Sequence, residues 1–477
     1  MIERGLIIGG VEQPAVSGEA FDVLSPATED VMGRVPRGQA ADVDLAVAAA
    51  RKGFDQWHSL TPSAREAVLL KAADIMATEG EQRYLDLLID ESGSVINKAR
   101  YEIMRTADLL RAAAGEVRRL YGDTMPNDDP SKISMVFREP LGVVASIVPY
   151  NAPLLLLTKM TAFPLAAGNS VVIKPSEETP LIAIEYAKLL VEAGLPAQAI
   201  SVVTGFGAEC GAPLVSHDDI DAIAVTGSTA TGKAIGKVAV EKMRPAQLEL
   251  GGKSALLVLN DFEAKEAAAI AIDGMFTHAG QICMANSRIV VEAGIYDEFI
   301  AEMKTACEQL AIGDVRDTNT AYGPLINRRA LEKVLEHIED AKSRGTELLT
   351  GGEVHDGLTL QPTVLLEPPR DATAWCDESF GPLTSVVKAK DLDEAIALAN
   401  DSIFGLSAGV LTHNIKRGFK AAREIRSGAV HIGMHSFQSN AMAPIGGLGD
   451  SGIGRSGGQF STEEFTELKW ISVELGD

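Results

Sequence analysis

Cysteine is scarce in this chain of 477 residues: there are four, Cys210, Cys283, Cys307 and Cys376. None is spaced as a zinc knuckle or a Cys-x-x-Cys pair, and a chain so long and cysteine-poor is no disulfide scaffold. That suits a reducing compartment, and a cytoplasmic location is expected. Positive charge is also short. Against 66 Asp and Glu stand 43 Lys and Arg, for a net charge of −23, so a nucleic-acid backbone or an anionic membrane surface would be repelled. Long apolar runs are missing. The nearest approach is residues 140–158, uncharged but interrupted by Pro149, Asn151 and Pro153. It reads as a buried strand followed by a helix rather than a membrane span. The N-terminus has no long apolar core and no small-residue cleavage site, so no secretory signal is expected. There are no repeats, no low-complexity tracts and no flexible linker. The dinucleotide fingerprint Gly-x-Gly-x-x-Gly is absent after the first strand of the βαβ series.

What is present suffices for several domains with sizeable cores. Residues 1–40 are rich in Gly and Pro, with short β-like runs. Residues 42–57, a segment opening at Pro62, and 94–120 carry apolar residues at helical spacing. From 141 to 251, strands at 143–148, 170–173, 200–204 and 222–226 alternate with helices at 154–165, 180–193 and 231–241. Such a series builds a parallel sheet with helices on its faces, which binds nucleotides at the carboxyl ends of its strands. The α/β character repeats to about residue 440, with helices at 296–309, 328–343, 392–400 and 415–425. Residues 133–137 and 463–474 read as strands.

The candidate chemistry starts with Gly280-Gln281-Ile282-Cys283-Met284-Ala285-Asn286-Ser287-Arg288. A thiol there is a nucleophile if something nearby favours the thiolate; otherwise it is a small core hydrophobe. Cys283 lies 34 residues after Glu249, in Glu249-Leu250-Gly251-Gly252-Lys253. A carboxylate among leucines is expected to have a raised pKa, which suits a general base. Glu-Leu-Gly-Gly-Lys followed at this distance by Gly-Gln-x-Cys resembles the aldehyde dehydrogenase superfamily, and the resemblance extends over essentially the whole chain.

The resemblance implies an α/β fold in three parts. A Rossmann-like parallel-sheet cofactor domain would span 1–122 and 141–250, and a second α/β catalytic domain 251–440. A small β oligomerisation element would comprise 123–140 and 460–477, implying a homodimer or homotetramer. It also implies a mechanism. Cys283 would add to an aldehyde, with Asn151 of Pro149-Tyr150-Asn151-Ala152-Pro153 and the Cys283 backbone N–H holding the oxyanion. Glu249 would activate the water that hydrolyses the thioester, where relatives that acylate coenzyme A generally lack this base. For the cofactor, Thr226-Gly227-Ser228-Thr229-Ala230-Thr231-Gly232 matches the family's glycine turn. Gly227, Ser228 and Gly232 would sit by the pyrophosphate, although Ser228 could equally be a simple helix cap. Lys174 and Glu177 match the adenosine-ribose contacts, and an acidic side chain there favours NAD, with NADP as the alternative. Gly207 matches a turn near the adenine. Ile147, Tyr150, Glu378 and Phe380 complete the cofactor contacts.

Ala152, Leu156, Lys159, Thr277, Ile282, Met284 and the loop 435–437 would line the aldehyde entrance. This mostly apolar set resembles the benzaldehyde, salicylaldehyde and vanillin dehydrogenase branch. Lys159 could instead meet a substrate carboxylate, which would favour a semialdehyde acid, or be a surface or structural lysine. A lysine common in relatives is Met160 here. A coenzyme A-acylating enzyme and a non-catalytic family member are the remaining readings. His431 and His435 stand four apart but have no third ligand, so no metal is expected.

Overall fold

The computed structural model describes residues 1–475. Its first sheet has eight strands, in the order Gly452–Ile453, Ala246–Glu249, Ala222–Thr226, Val143–Ile147, Ser170–Lys174, Ile200–Val202, Leu6–Ile8 and Val11–Gln13. The five from Ala246–Glu249 to Ile200–Val202 are mutually parallel. Ser170–Lys174 and Ala222–Thr226 are buried throughout, which is why these stretches read as continuous apolar runs rather than alternating ones. The chain runs outward from Val143–Ile147 on one side, then returns to place Ala222–Thr226 on the other. The strand order therefore reverses between these two, and a crevice opens at their carboxyl ends.

The second sheet has seven strands, in the order Glu347–Thr350, Thr363–Leu366, Leu383–Ala389, Arg288–Glu292, Ala255–Val258, Ser407–Leu411 and Ala429–Ile432. All neighbours are parallel except the first pair. The mixed α/β class expected from the sequence is the one observed. A third, antiparallel sheet joins Thr466–Glu474, Lys132–Pro140 and Thr124–Met125. No helix among the described residues is long and apolar enough to cross a membrane.

One reading needs correction. Residues 463–474 are not a single strand: a helix, Gly458–Glu464, precedes the strand Thr466–Glu474. Gly457 and Gly458 at φ 125° and 48° turn the chain into this helix. The buried Phe465 then packs into the core of the first sheet and its helices. The last two residues of the expected 460–477 element lie outside the described residues.

Candidate active site

The crevice at the strand reversal is lined from both sides. Ile147 ends one strand and Val148, Pro149 and Tyr150 follow it; Thr226 ends the other and Gly227 and Ser228 follow it. One cavity of about 500 Å³ reaches outward past Lys174, Glu177 and Gly207. Another, of about 480 Å³, reaches inward past Glu378 and Phe380 to Cys283. They share Pro149, Tyr150, Thr226, Gly227 and Ser228, so they form one cleft. A Cβ at Gly207 would meet no protein atom, and one at Gly227 only Val225 Cγ1 at 3.9 Å. Their missing side chains leave cleft space that a ligand can fill. The buried Thr226 hydroxyl has no partner among the described residues.

The sequence-predicted cofactor residues are brought together here, with one exception. Ser228 is both things: its hydroxyl caps the helix Thr229–Glu241 by accepting from Thr231 N at 3.2 Å, and it lines the cleft. Lys174 and Glu177 face it as an ion pair at 3.2 Å. Glu378 accepts from Gly252 N at 2.9 Å, and burial raises its pKa. Phe380, at φ 54°, meets Tyr150 edge-on at 6.0 Å. The exception is Gly232, which is buried one turn into the helix. A Cβ there would lie 2.2 Å from Leu250 Cδ2, so Gly232 leaves room for the Leu250 side chain against the helix and is not among the residues lining the cleft.

Cys283 sits on a strained turn. His278, Ala279 and Gly280 are all left-handed, at φ 53°, 54° and 69°, a costly conformation for the first two. Gly280 passes so close to Gly381 that a Cβ would lie 2.4 Å from its carbonyl. Gln281 is fully buried and staples the turn. It donates to the His278 carbonyl at 3.2 Å and accepts from Ile326 N at 3.0 Å. The Gly-Gln pair before the cysteine is thereby explained. Arg288, five residues on, donates to the carbonyls of Lys253, Leu398, Ala399 and Asp401, a buried structural role.

The sequence left open whether the surroundings of the thiol favour the thiolate. Burial pushes the Cys283 thiol up to about 12, with Glu378 and Glu249 adding to the effect. Lys159 and a backbone hydrogen bond favour the thiolate, but burial and the two carboxylates outweigh them. The apolar setting expected for Glu249 is not the one it has. Its carboxylate accepts from Lys159 Nζ at 3.0 Å on one oxygen and from the Ser456 hydroxyl on the other. Lys159 is buried, so it is no surface lysine. Ser456 gave no sign in the sequence, because it arrives from the distant C-terminal segment whose strand Gly452–Ile453 pairs with Glu249.

Asn151 is buried, and its amide donates to the Gln281 carbonyl at 2.8 Å. A second amide hydrogen remains. Beyond Asn151 and Cys283 lies a third cavity, of about 580 Å³. All the residues expected at the aldehyde entrance line it except Ser436, which is fully buried and ties the loop to the Met284 carbonyl at 2.6 Å. Asn151, Leu156 and Cys283 line both this cavity and the inner half of the cleft. The sulfur therefore stands where two cavities meet. At the wall of the third cavity His435 pairs with Asp273 at 3.2 Å, so its partner is a carboxylate on the helix Ala264–Phe276 rather than His431.

Known proteins resemble this chain in sequence and fold. Residues 13–471 match the family model described as "Aldehyde dehydrogenase family". A vanillin dehydrogenase of Pseudomonas fluorescens is 35% identical over 480 residues, covering 100% of this chain and 99% of the relative. A glutarate-semialdehyde dehydrogenase of Pseudomonas putida is 35% identical over 468 residues, covering 98% and 97%. Among solved structures, an NAD-dependent aldehyde dehydrogenase from Sinorhizobium meliloti superposes with a TM-score of 0.97 at 35% identity, covering 100% of this chain and 95% of that one.

Proposed function

The chain belongs to the aldehyde dehydrogenase family and is an NAD(P)-dependent aldehyde dehydrogenase; from that premise we propose that it oxidises a neutral, aromatic or hydrophobic aldehyde to the carboxylic acid, with NAD as the preferred acceptor. The observation that carries the reading is the position of Cys283, at the junction of a cleft shaped for a dinucleotide and a separate cavity shaped for a small molecule. An aldehyde entering from one side meets the sulfur directly.

Cys283 Sγ bonds to the carbonyl carbon, and its proton is lost to the surroundings. The resulting oxyanion is held by the free Asn151 amide hydrogen and the Cys283 N–H. Bound in the cleft, NAD supplies the acceptor for the hydride that leaves this adduct. The acyl group remains on Cys283 as a thioester. Glu249 takes a proton from water, whose oxygen bonds to the acyl carbon while the C–S bond breaks, releasing the acid. Lys159 and Ser456 hold the carboxylate for that step. In the cleft, Lys174 and Glu177 would meet the adenosine ribose, Gly207, Gly227 and Ser228 the phosphates and adenine end, and Glu378 with Phe380 the nicotinamide half. Glu177 would repel a 2′-phosphate, which supports NAD over NADP.

A neutral substrate is supported by the state of the lysines. Two line the aldehyde cavity, Lys98 and Lys159. Lys159 is committed to Glu249. Lys98 donates to Ser94 Oγ, Glu102 and the Asn151 carbonyl, which uses all three of its hydrogens. Neither offers an anchor for a substrate carboxylate, whereas Leu155, Leu156, Ile282, Met284 and Phe437 offer apolar contact. The three-stranded sheet with its exposed apolar side chains fits a homo-oligomer contact.

Glu249→Gln tests the mechanism. Rapid mixing should show NADH formed in a burst of about one equivalent, followed by turnover reduced roughly 10²–10⁴-fold. Loss of the burst itself would remove Glu249 from the hydrolytic step.

A further inference from the structure

The helix Pro153–Ala166 begins at Ala152, which has no side chain able to cap it. Its first amides are satisfied from elsewhere. Leu154 N and Leu155 N donate to Glu102 Oε1 at 2.8 and 3.0 Å. Glu102 lies on the helix Ile96–Val117 and is 1% exposed. A carboxylate at a helix N-terminus is well placed electrostatically, but one so deeply buried needs a counter-charge. Lys98, one turn earlier on the same helix, provides it at 2.6 Å. Lys98 then goes further than the cap requires. It donates to the backbone carbonyl of Asn151 at 2.8 Å, and to Ser94 Oγ at 2.9 Å.

The two side chains thus grip both ends of one short segment. Glu102 fixes the start of the helix that follows Asn151, and Lys98 fixes the Asn151 carbonyl itself. With the backbone held on both sides, the Asn151 amide is aimed at the Gln281 carbonyl at 2.8 Å, two residues before Cys283. Rotation of the Asn151 peptide would swing the amide away from the sulfur, and a displacement of about 1 Å at a reacting centre can cost roughly 10²-fold in rate.

We infer that Lys98 and Glu102 are positioning residues for the oxyanion donor: an ion pair on a neighbouring helix that sets where Asn151 points, although neither touches the reacting atoms. The inference rests on the reading of Asn151 given above.

A double-mutant cycle separates the two. The full-length chain is assayed with NAD and whichever of benzaldehyde, propanal and succinic semialdehyde turns over fastest. Asn151→Ala should lower kcat/KM about 10²–10³-fold. Lys98→Met should lower it about 10–10²-fold, with NAD affinity, read from tryptophan fluorescence, unchanged. The double variant should match Asn151→Ala within about threefold, because Lys98 acts only through Asn151. Should Lys98→Met fail to fold, Glu102→Gln carries the same cycle: its amide oxygen still caps the helix, while the charge that holds Lys98 is gone. An unchanged kcat/KM in the Lys98 and Glu102 variants, or losses that multiply in the double variant, would overturn the inference and leave the role of Asn151 standing. Full activity in Asn151→Ala would overturn both.

Discussion

The thiol at the junction of the cavities carries a burden that the sequence did not show. With its pKa pushed up to about 12, Cys283 is a protonated thiol at neutral pH in the absence of cofactor. The thiolate fraction then grows about tenfold per pH unit throughout the neutral range. Alkylation by iodoacetamide without NAD should rise with that slope from pH 7 to 9, measured against Cys283→Ser to subtract the other cysteines. A plateau below about pH 8.5 would show an activated thiolate and contradict the electrostatics described here. At this scale the sequence was informative where a motif names its own chemistry. Cys283, Glu249 and Asn151 were singled out together as candidates, and so was the reason for distrusting each alone. The partners of Glu249 were not. Lys159 sits ninety residues away and Ser456 more than two hundred, and nothing in local pattern links them. Gly232 belongs to the glycine turn by motif, yet by geometry it faces Leu250 rather than the cleft.

The helix elements show why ends are harder to read than bodies. The long helices from Ala40 to Val117 and the alternating βαβ series follow from periodicity, and their positions were legible within a few residues. Ser228 was legible as a cap, but the caps of two other helices were not, because they are supplied from another helix. Glu102 does this for Pro153–Ala166. Glu91 does it for Pro180–Ala193, accepting from Leu181 N at 2.6 Å and Ile182 N at 3.0 Å. Glu91 is fully buried, and burial pushes its pKa up to about 8 against the pull of those two amides. The folded state therefore keeps a proton that the unfolded chain has already lost. Stability from this group is present at acid pH and declines as pH rises from about 4.5 through 8. Glu91→Gln keeps an acceptor oxygen and does not titrate. Thermal melts should show the wild type losing Tm relative to Glu91→Gln between pH 5 and 9. Parallel curves would mean that Glu91 is ionised in the fold throughout. The strand break at Phe465 has the same origin: an apolar residue left for the core of another layer, invisible to a two-residue alternation.

Across the whole molecule, two largely parallel sheets and their helices leave a third sheet standing apart with apolar side chains in solvent. Leu468, Trp470 and Val473 on the strand Thr466–Glu474, and Ile133 and Phe137 on its neighbour, are exposed. Such a surface is covered in a stable protein, and a second copy of this chain is the proposed cover. Light scattering should give a mass at least twice the 50.5 kDa of one chain, and Trp470→Glu should reduce it. A monomeric wild type would contradict this. The larger arrangement also bears on the proposed substrate. The two lysines at the aldehyde cavity are held by Glu249 and by the Glu102–Asn151 contacts, which supports the proposed preference for a neutral aldehyde. The most direct test of the account is NADH formation with NAD across benzaldehyde, hydroxylated benzaldehydes, straight-chain aldehydes and succinic semialdehyde, with Cys283→Ala alongside. Neutral aromatic aldehydes should exceed succinic semialdehyde in kcat/KM by about tenfold or more, and all activity should vanish in the variant. A preference for the semialdehyde, or activity that survives loss of Cys283, would contradict it.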